Sequence, residues 1–412
     1  MAGRALPILL VALLAAACGG GSESGAPGEV VGTEIDRAPA EPADASKLAA
    51  GLTEFAFDYH RVRAERAPAE NLVFSPLSMA MAFGMAHAGA SGENAAQIEE
   101  VFHLPASGAE LHAAFNALDQ GLVDSGKSTP RLANRLFPAV GYELEQDFVE
   151  TLAAQYGAPP ERLDFAGDAE AARKRINAWV SQRTEKRIPE LFPAGVLDHS
   201  TRLVLANALF LKAKWTQPFG KYPTEKAPFT RLDGSTVRVP LMHNAELRTR
   251  YVNAGNVQAV ELGYGEGELS MLVVVPTGDF AAFERSFDAA RLAELDGATR
   301  TGIVDLYLPR WSANSSLDLA VDLSQLGLTL PFGGGDFTGI SADNPFLDAA
   351  VHAADIDVDE RGTVAAAATG LSFAVSGPPE PDTVIRADRP FLYLIRDTET
   401  GAVLFVGRLV DP

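Results

Sequence analysis

Cysteine is almost absent: a single one, Cys18, occurs in 412 residues. That excludes an internal disulfide framework and any Cys₂His₂ or Cys₄ zinc site. Positive charge is also scarce, with 34 Lys and Arg against 54 Asp and Glu and a formal net charge of −20. Nucleic acid and anionic membrane surfaces are therefore disfavoured partners, because phosphate binding needs a basic patch. Catalytic signatures are missing too: there is no HExxH, no GxSxG and no paired His–carboxylate cluster. The seven histidines (His60, His87, His103, His112, His199, His243 and His352) are scattered. No enzyme activity, metal or cofactor is expected. What the chain does have is 47% hydrophobic residues, enough for a large core and too many for global disorder.

The first residues read as an export signal. Arg4 supplies a positive charge, and Leu6 to Ala17 is almost wholly apolar. That run is too short to span a bilayer, which takes roughly 20 residues, and fits a secretory h-region. It ends in Leu14-Ala15-Ala16-Ala17-Cys18 followed by Gly19-Gly20-Gly21-Ser22. The lone cysteine behind small residues resembles a bacterial lipobox, although Ala15 stands where that pattern prefers Leu. Residues 1–17 are thus expected to be a lipoprotein signal peptide and Cys18 the lipidated residue. The resemblance implies an exported protein, anchored to the bacterial outer membrane on its periplasmic or outer face, or else secreted. Residues 18–46, rich in Gly, Ala, Pro, Ser and acids, are expected to be a flexible tether. Only two basic and six acidic residues precede Lys47, so residues 47–412 keep 16 surplus acidic groups.

From Ser46 onward no comparable linker recurs. Leu48, Leu52, Phe55, Tyr59 and Val62 have the spacing of one helical face. Ser75-Pro76 reads as an N-cap with Pro at the first helical position, opening a helix toward Gly89. Ala171 to Lys186 is expected to be another helix. Later segments read as strands: the apolar run Leu269 to Val275, and Ala354, Ile356 and Val358 alternating with Asp355, Asp357 and Asp359. Phe391–Ile395 and Ala402–Val406 flank a turn at Gly401, a terminal hairpin. Early helices and late strands without βαβ alternation predict an α+β fold. Residues 121–128 match the phosphate-loop pattern GxxxxGK[ST], but Leu111, Phe115, Leu118 and Leu122 place a helix where that motif needs a strand. Pro130 also opposes a helix running on from it.

The informative stretch runs from Glu360-Arg361-Gly362-Thr363-Val364 through Ala365, Ala366, Ala367 and Ala368 to Pro379. It carries no charge from Gly362 to Pro379. Thr363, Ala365, Ala367, Thr369, Leu371 and Phe373 form one alternate set without Pro, a pattern able to enter a crowded sheet as a strand. This segment resembles the hinge and reactive-centre loop of a serpin. The resemblance continues in order through Asn71–Ser78, Ile176–Ile188, Asn207–Trp215, Leu308–Trp311, Asp336–Ser341, Arg389–Phe391 and Phe405–Arg408, and covers residues 47–412.

The resemblance implies one serpin domain of three β-sheets with eight or nine helices and an exposed loop over about residues 360–386. It also implies a suicide-substrate inhibitor of serine proteases, trapping its acyl-enzyme by inserting the cleaved loop into the central sheet. Cysteine proteases are a further class it admits, and a monomer is expected. The hinge is Glu360, Gly362, Thr363 and Ala365 to Ala368. Ser75, Ser78, Asn207 and His352 match the family's shutter and Trp215 its breach. Counting from Glu360 places the reactive bond at Ser376–Gly377, with Val375–Ser376 and Phe373–Ala374 as alternatives. No Lys or Arg lies between Arg361 and Arg386, so elastase-, subtilisin- or chymotrypsin-like proteases fit and trypsin-like ones do not. Two departures are Val364, where many inhibitory members carry Glu, and Gly370 inside the inserting strand. The alternative is a non-inhibitory binding or chaperone-like serpin, against which the small hinge residues speak. Residues 109–126 contain no Lys or Arg, so heparin-type activation is not expected.

Overall fold

The computed structural model describes residues 26–40, 45–124, 129–363 and 380–412. Nine α-helices lie among them: α1 (Ala45–Arg66), α2 (Pro76–His87), α3 (Gly92–Val101), α4 (Gly108–Asp124), α5 (Gln146–Tyr156), α6 (Phe165–Arg183), α7 (Phe280–Ser286), α8 (Ala289–Gly297) and α9 (Leu319–Gln325). The strands through the middle of the chain are β1 (Leu72–Phe74), β2 (Thr129–Pro138), β3 (Leu203–Lys214), β4 (Glu225–Thr230), β5 (Thr236–Ala254), β6 (Val257–Tyr264) and β7 (Leu269–Pro276). The later ones are β8 (Arg300–Pro309), β9 (Trp311–Asp318), β10 (Ala349–Asp359), β11 (Gly362–Thr363), β12 (Thr383–Arg386), β13 (Phe391–Asp397) and β14 (Val403–Leu409).

The central sheet has the order β2-β3-β11-β10-β9. β2 with β3 and β9 with β10 are antiparallel, whereas β3 and β10 run parallel over seven pairs, from Val204↔Ala349 to Phe210↔Asp355. The second sheet has nine strands, β1-β14-β13-β7-β6-β5-β8-β12 with β4 on β5. The two outer sheets expected from the resemblance are joined there by β5, whose 19 residues pair with β4 at one end and β6 at the other.

The local readings map onto these elements. Leu48, Leu52, Phe55 and Tyr59 of α1 are buried, and Val62 is half-buried. The Ser75 hydroxyl accepts from the Ser78 N–H at 3.0 Å, capping α2 with Pro76 in its first turn. β7 is buried at every position, and β13 and β14 form the hairpin with Gly401 at φ +76°. Gly121 lies inside α4 and the next element is β2, a helix-to-strand order opposite to a phosphate loop; residues 125–128 fall outside the described residues.

Three expectations need correction. α6 begins at Phe165 rather than Ala171, across a kink at Asp168, because Asp164 caps it through the Gly167 N–H. It ends at Arg183 rather than Lys186, since Glu185 and Lys186 turn left-handed at φ +50° and +67°. The tether is also not loose throughout. Residues 28–38 dock as a strap: the Gly28 N–H donates to the Arg162 carbonyl at 2.7 Å, Val31 N–H to Pro160, and Ala38 N–H to Ala154. Arg37 reaches Asp119 at 2.6 Å and Asn116 at 3.0 Å on α4, and Arg162 meets Glu29 at 3.1 Å, so backbone pairing and two guanidinium groups replace the missing hydrophobic pattern. Finally, the loop placed at about 360–386 is shorter. Gly362 and Thr363 already pair in the central sheet, and Thr383–Arg386 is β12, paired parallel with β8 with Ile385 fully buried.

Candidate functional site

The site is the seam between β3 and β10. Each strand turns one alternate set of residues toward α2 and the other toward α6, because side chains alternate across a sheet. Asn207 of β3 and His352 of β10 stand directly opposite each other in the register. With Ser75 and Ser78, which open α2, they are all fully buried. A buried polar group must find partners, and here each does. The Ser75 backbone N–H donates to His352 Nε2 at 2.9 Å. That nitrogen must therefore be the bare acceptor, which leaves the proton on Nδ1, where it is donated to Asn207 Oδ1. Asn207 Nδ2 donates to the Ser78 hydroxyl at 2.7 Å and the Ser78 carbonyl at 2.6 Å. Burial pushes the His352 imidazole down to about 3, so the ring is neutral and the network carries no charge. The four expected shutter residues are thus brought together across the parallel β3–β10 pairing of the central sheet.

Asn134 completes the network and was not anticipated. It faces Asn207 from β2, its Oδ1 accepting from the Ser78 hydroxyl at 3.2 Å and lying 2.6 Å from Asn207 Nδ2, whose two hydrogens are shared among three acceptors, while Asn134 Nδ2 is buried without a partner. The available signal was a polar residue between Leu132 and Leu136 in the alternate set of an apolar strand.

Beyond Phe210↔Asp355 the strands fork, and the hinge fills the fork. Thr363 pairs with Ala213 of β3 and Val358 of β10, antiparallel to both. Gly362 lies so close to β3 that a Cβ there would meet the Ala213 carbonyl oxygen at 2.1 Å, and its φ is +150°. Glycine is required at that point. Thr363 is fully buried, and its hydroxyl lies 2.6 Å from that of Tyr264. Tyr264 stacks on Trp215 with ring centroids 4.3 Å apart, and the Trp215 indole N–H donates to the Asp359 carbonyl at 2.9 Å. Trp215 therefore lies beside the hinge, through Tyr264 on one side and Asp359 on the other. Tyr264 had no local pattern to mark it.

Glu360 secures the turn into the hinge. Arg310 donates to its carboxylate at 2.6 Å and Thr224 adds a second bond. Burial pushes the Glu360 carboxyl up, but these donors outweigh it and hold the group below the usual range. The far end of the loop is fixed at Arg386, whose guanidinium lies 4.1 Å over the Tyr307 ring. Hinge residues Ala365 to Ala368, the candidate bonds at Phe373, Val375, Ser376 and Gly377, and Cys18 lie outside the described residues.

Residues 50–412 match the family model described as Serpin (serine protease inhibitor). The chain is 35% identical over 380 residues to the bovine (Bos taurus) leukocyte elastase inhibitor, covering 89% of this chain and all of that protein. The human (Homo sapiens) leukocyte elastase inhibitor is 34% identical over 382 residues, again 89% of this chain and 100% of the relative. Among solved structures, uncleaved ovalbumin superposes with a TM-score of 0.80 at 25% identity, over 89% of this chain and all of that one. Tengpin, a thermophilic serpin in its native state, superposes with a TM-score of 0.85 over 94% of this chain and all of its own, a likeness of fold at 22% identity.

Proposed function

The chain belongs to the serpin family, and on that premise we propose that it is an irreversible suicide-substrate inhibitor of serine proteases with a small or apolar residue at the cleaved bond. The observation that carries the reading is the hinge. Gly362 and Thr363 sit in the fork of β3 and β10 as the first two residues of a strand antiparallel to both. Continued insertion would replace the central sheet's parallel pairing with two antiparallel ones, which are somewhat more stable per residue.

The target's own catalytic serine attacks the Ser376 carbonyl. The peptide bond to Gly377 breaks, the new amino terminus leaves with a proton, and an ester joins protease to inhibitor. Before water cleaves that ester, the loop enters between β3 and β10 and carries the protease with it. About two dozen new backbone hydrogen bonds replace the roughly seven of the parallel ladder, and the surplus, at roughly 0.5–1.5 kcal/mol net each, supplies on the order of 10–25 kcal/mol. That equals or exceeds the roughly 5–15 kcal/mol stability of an ordinary domain, enough to distort a protease active site. Trypsin-like targets are disfavoured because Arg386 is held in β12 against Tyr307.

The test is a panel of elastase-, subtilisin-, chymotrypsin- and trypsin-like proteases, read by SDS gels and mass spectrometry. The reading expects an SDS-stable complex with one of the first three and release of residues 377–412. Cleavage by all of them without any complex would refute it. We also propose that Cys18 is lipidated, so that the inhibitor is exported and held at a bacterial outer membrane. The apolar run behind Cys18 and the small residues around it support this.

A further inference from the structure

The connector from α6 to β3 crosses the outer face of the seam at the fork. Its first residues are strained: Glu185 and Lys186 both hold left-handed backbone, φ +50° and +67°, with no glycine. Each such residue is held at a cost of roughly 1–3 kcal/mol and persists only where its surroundings dictate it. The surroundings do so here. The Thr184 hydroxyl, fully buried, donates to the Val180 carbonyl at 2.9 Å and accepts from the Ile188 N–H at 3.2 Å. Asn177 of α6 accepts from the Leu191 and Phe192 N–H groups. The connector is therefore a stiff extension of α6.

The strained turn sends two side chains to opposite walls of the seam. Glu185 meets Lys212 of β3 at 2.9 Å. Arg187, two residues on, meets Asp355 of β10 at 2.6 Å and also pairs with Asp357, while its guanidinium lies 5.9 Å over the Phe210 ring of β3. Phe210 and Asp355 are the last residues paired directly before the hinge wedges in. The two grips thus straddle the place where the strands must part next.

We propose that Glu185–Lys212 and Arg187–Asp355–Asp357 form a clasp across the seam that sets the rate at which the reactive loop enters the sheet. Neighbouring strands lie about 4.8 Å apart, so a strand placed between β3 and β10 moves them to roughly twice that spacing. The connector stays with α6, and α6 packs mainly against β2 and β3 through Ile176, Trp179 and Val180, with Val351 and Ala353 of β10 in the same cluster. Arg187 cannot follow β10 through that displacement and keep both carboxylates. Arg187 is accordingly a positioning residue, acting through the spacing of β3 and β10. The inference rests on the trapping reading, since a clasp matters only where the sheet opens.

The experiment needs no protease. A synthetic peptide copying residues 364–375 is incubated with the full-length protein, and its uptake into the seam is followed by native-gel shift. Arg187→Ala is expected to take up the peptide about 3- to 10-fold faster than wild type, the range for losing two partly exposed ion pairs. Asp357→Asn, which keeps side-chain shape, should accelerate uptake less. Arg187→Lys should fall between, because a single ammonium cannot fork two carboxylates. Thermal melting of each variant within a few degrees of wild type separates the effect from misfolding. Uptake by Arg187→Ala and Asp357→Asn at the wild-type rate, or slower, overturns the clasp and leaves trapping intact. No uptake by wild type or any variant overturns both.

Discussion

Thr363 and Tyr264 lock the hinge to the sheet: their hydroxyls lie 2.6 Å apart in an environment that excludes water from both side chains. Removing one partner leaves a buried hydroxyl without a hydrogen bond, which costs about 1–3 kcal/mol. Tyr264→Phe keeps the stack on Trp215 and deletes only that bond. Amide hydrogen exchange across residues 360–363 is expected to speed up at least several-fold in this variant, while exchange in β13 and β14 stays as in wild type. Unchanged exchange at the hinge would mean that strand pairing alone holds it.

Thr363→Arg should convert the inhibitor into a substrate. The position is fully buried between two strands, and an unpaired guanidinium there costs several kcal/mol. Insertion slows, and hydrolysis of the acyl-enzyme overtakes it. Gel analysis with a complex-forming protease should show cleaved variant and free enzyme. Covalent complex at wild-type stoichiometry would contradict the role given to this residue.

The shutter makes stability depend on pH in a definite direction. The His352 imidazole sits at about 3 in the folded protein against an ordinary 6.5, because it is buried. Between those values the unfolded chain binds a proton that the native ring refuses. The contribution is therefore complete above about pH 6.5 and is lost as the pH falls toward 3. At pH 4.5 the loss is about 2–3 kcal/mol, from roughly 1.4 kcal/mol per unit. His112, lowered to about 4 by burial and then by His87, adds in the same direction. Urea unfolding at pH 7.5 and 4.5 should show a smaller drop in His352→Gln than in wild type. Equal drops would remove His352 from the account.

Metabolic labelling with a fatty acid should mark wild type and leave Cys18→Ser unmarked; equal labelling of both would rule the anchor out. The docked strap gives the anchor a second consequence. With Gly28 paired to Arg162, the ten peptide steps from Cys18 to Gly28 span at most about 36 Å when fully extended. Arg37→Ala, which leaves Asp119 on α4 without its partner, should free the strap: exchange at the Val31 and Ala38 amides is expected to rise strongly, and unchanged exchange there would mean that backbone pairing alone holds it.

Much of the seam could be read in the sequence because it is written in local patterns. The Ser75 cap, the alternation of apolar and acidic residues in β10, and the small residues after Glu360 each report a backbone state within a few positions. The other half of the site depends on distant pairings. Tyr264 and Asn134 are ordinary strand residues until β11 and β3 are placed beside them. Arg187 is one cation in a charged helix end until Asp355 and Asp357 arrive from β10, 168 and 170 residues away. The strap is silent in the sequence for a different reason. It binds through backbone hydrogen bonds, Arg37 and the Glu29–Arg162 ion pair, with Val31 and Ile35 touching the core, so no hydrophobic period announces it.

The insertion of the cleaved loop between β3 and β10 is tested most directly by melting. Cut within the loop by a protease in substrate mode, the protein should gain a full central strand worth on the order of 10 kcal/mol or more. At about 1.3 °C per kcal/mol for a domain of this size, from roughly 2.1 cal/mol/K of unfolding entropy per residue, the cleaved form should melt at least about 13 °C above the intact one. Calorimetry of the two forms at one pH and ionic strength decides it: a large upward shift is the predicted result, and equal or lower melting of the cleaved form would contradict insertion.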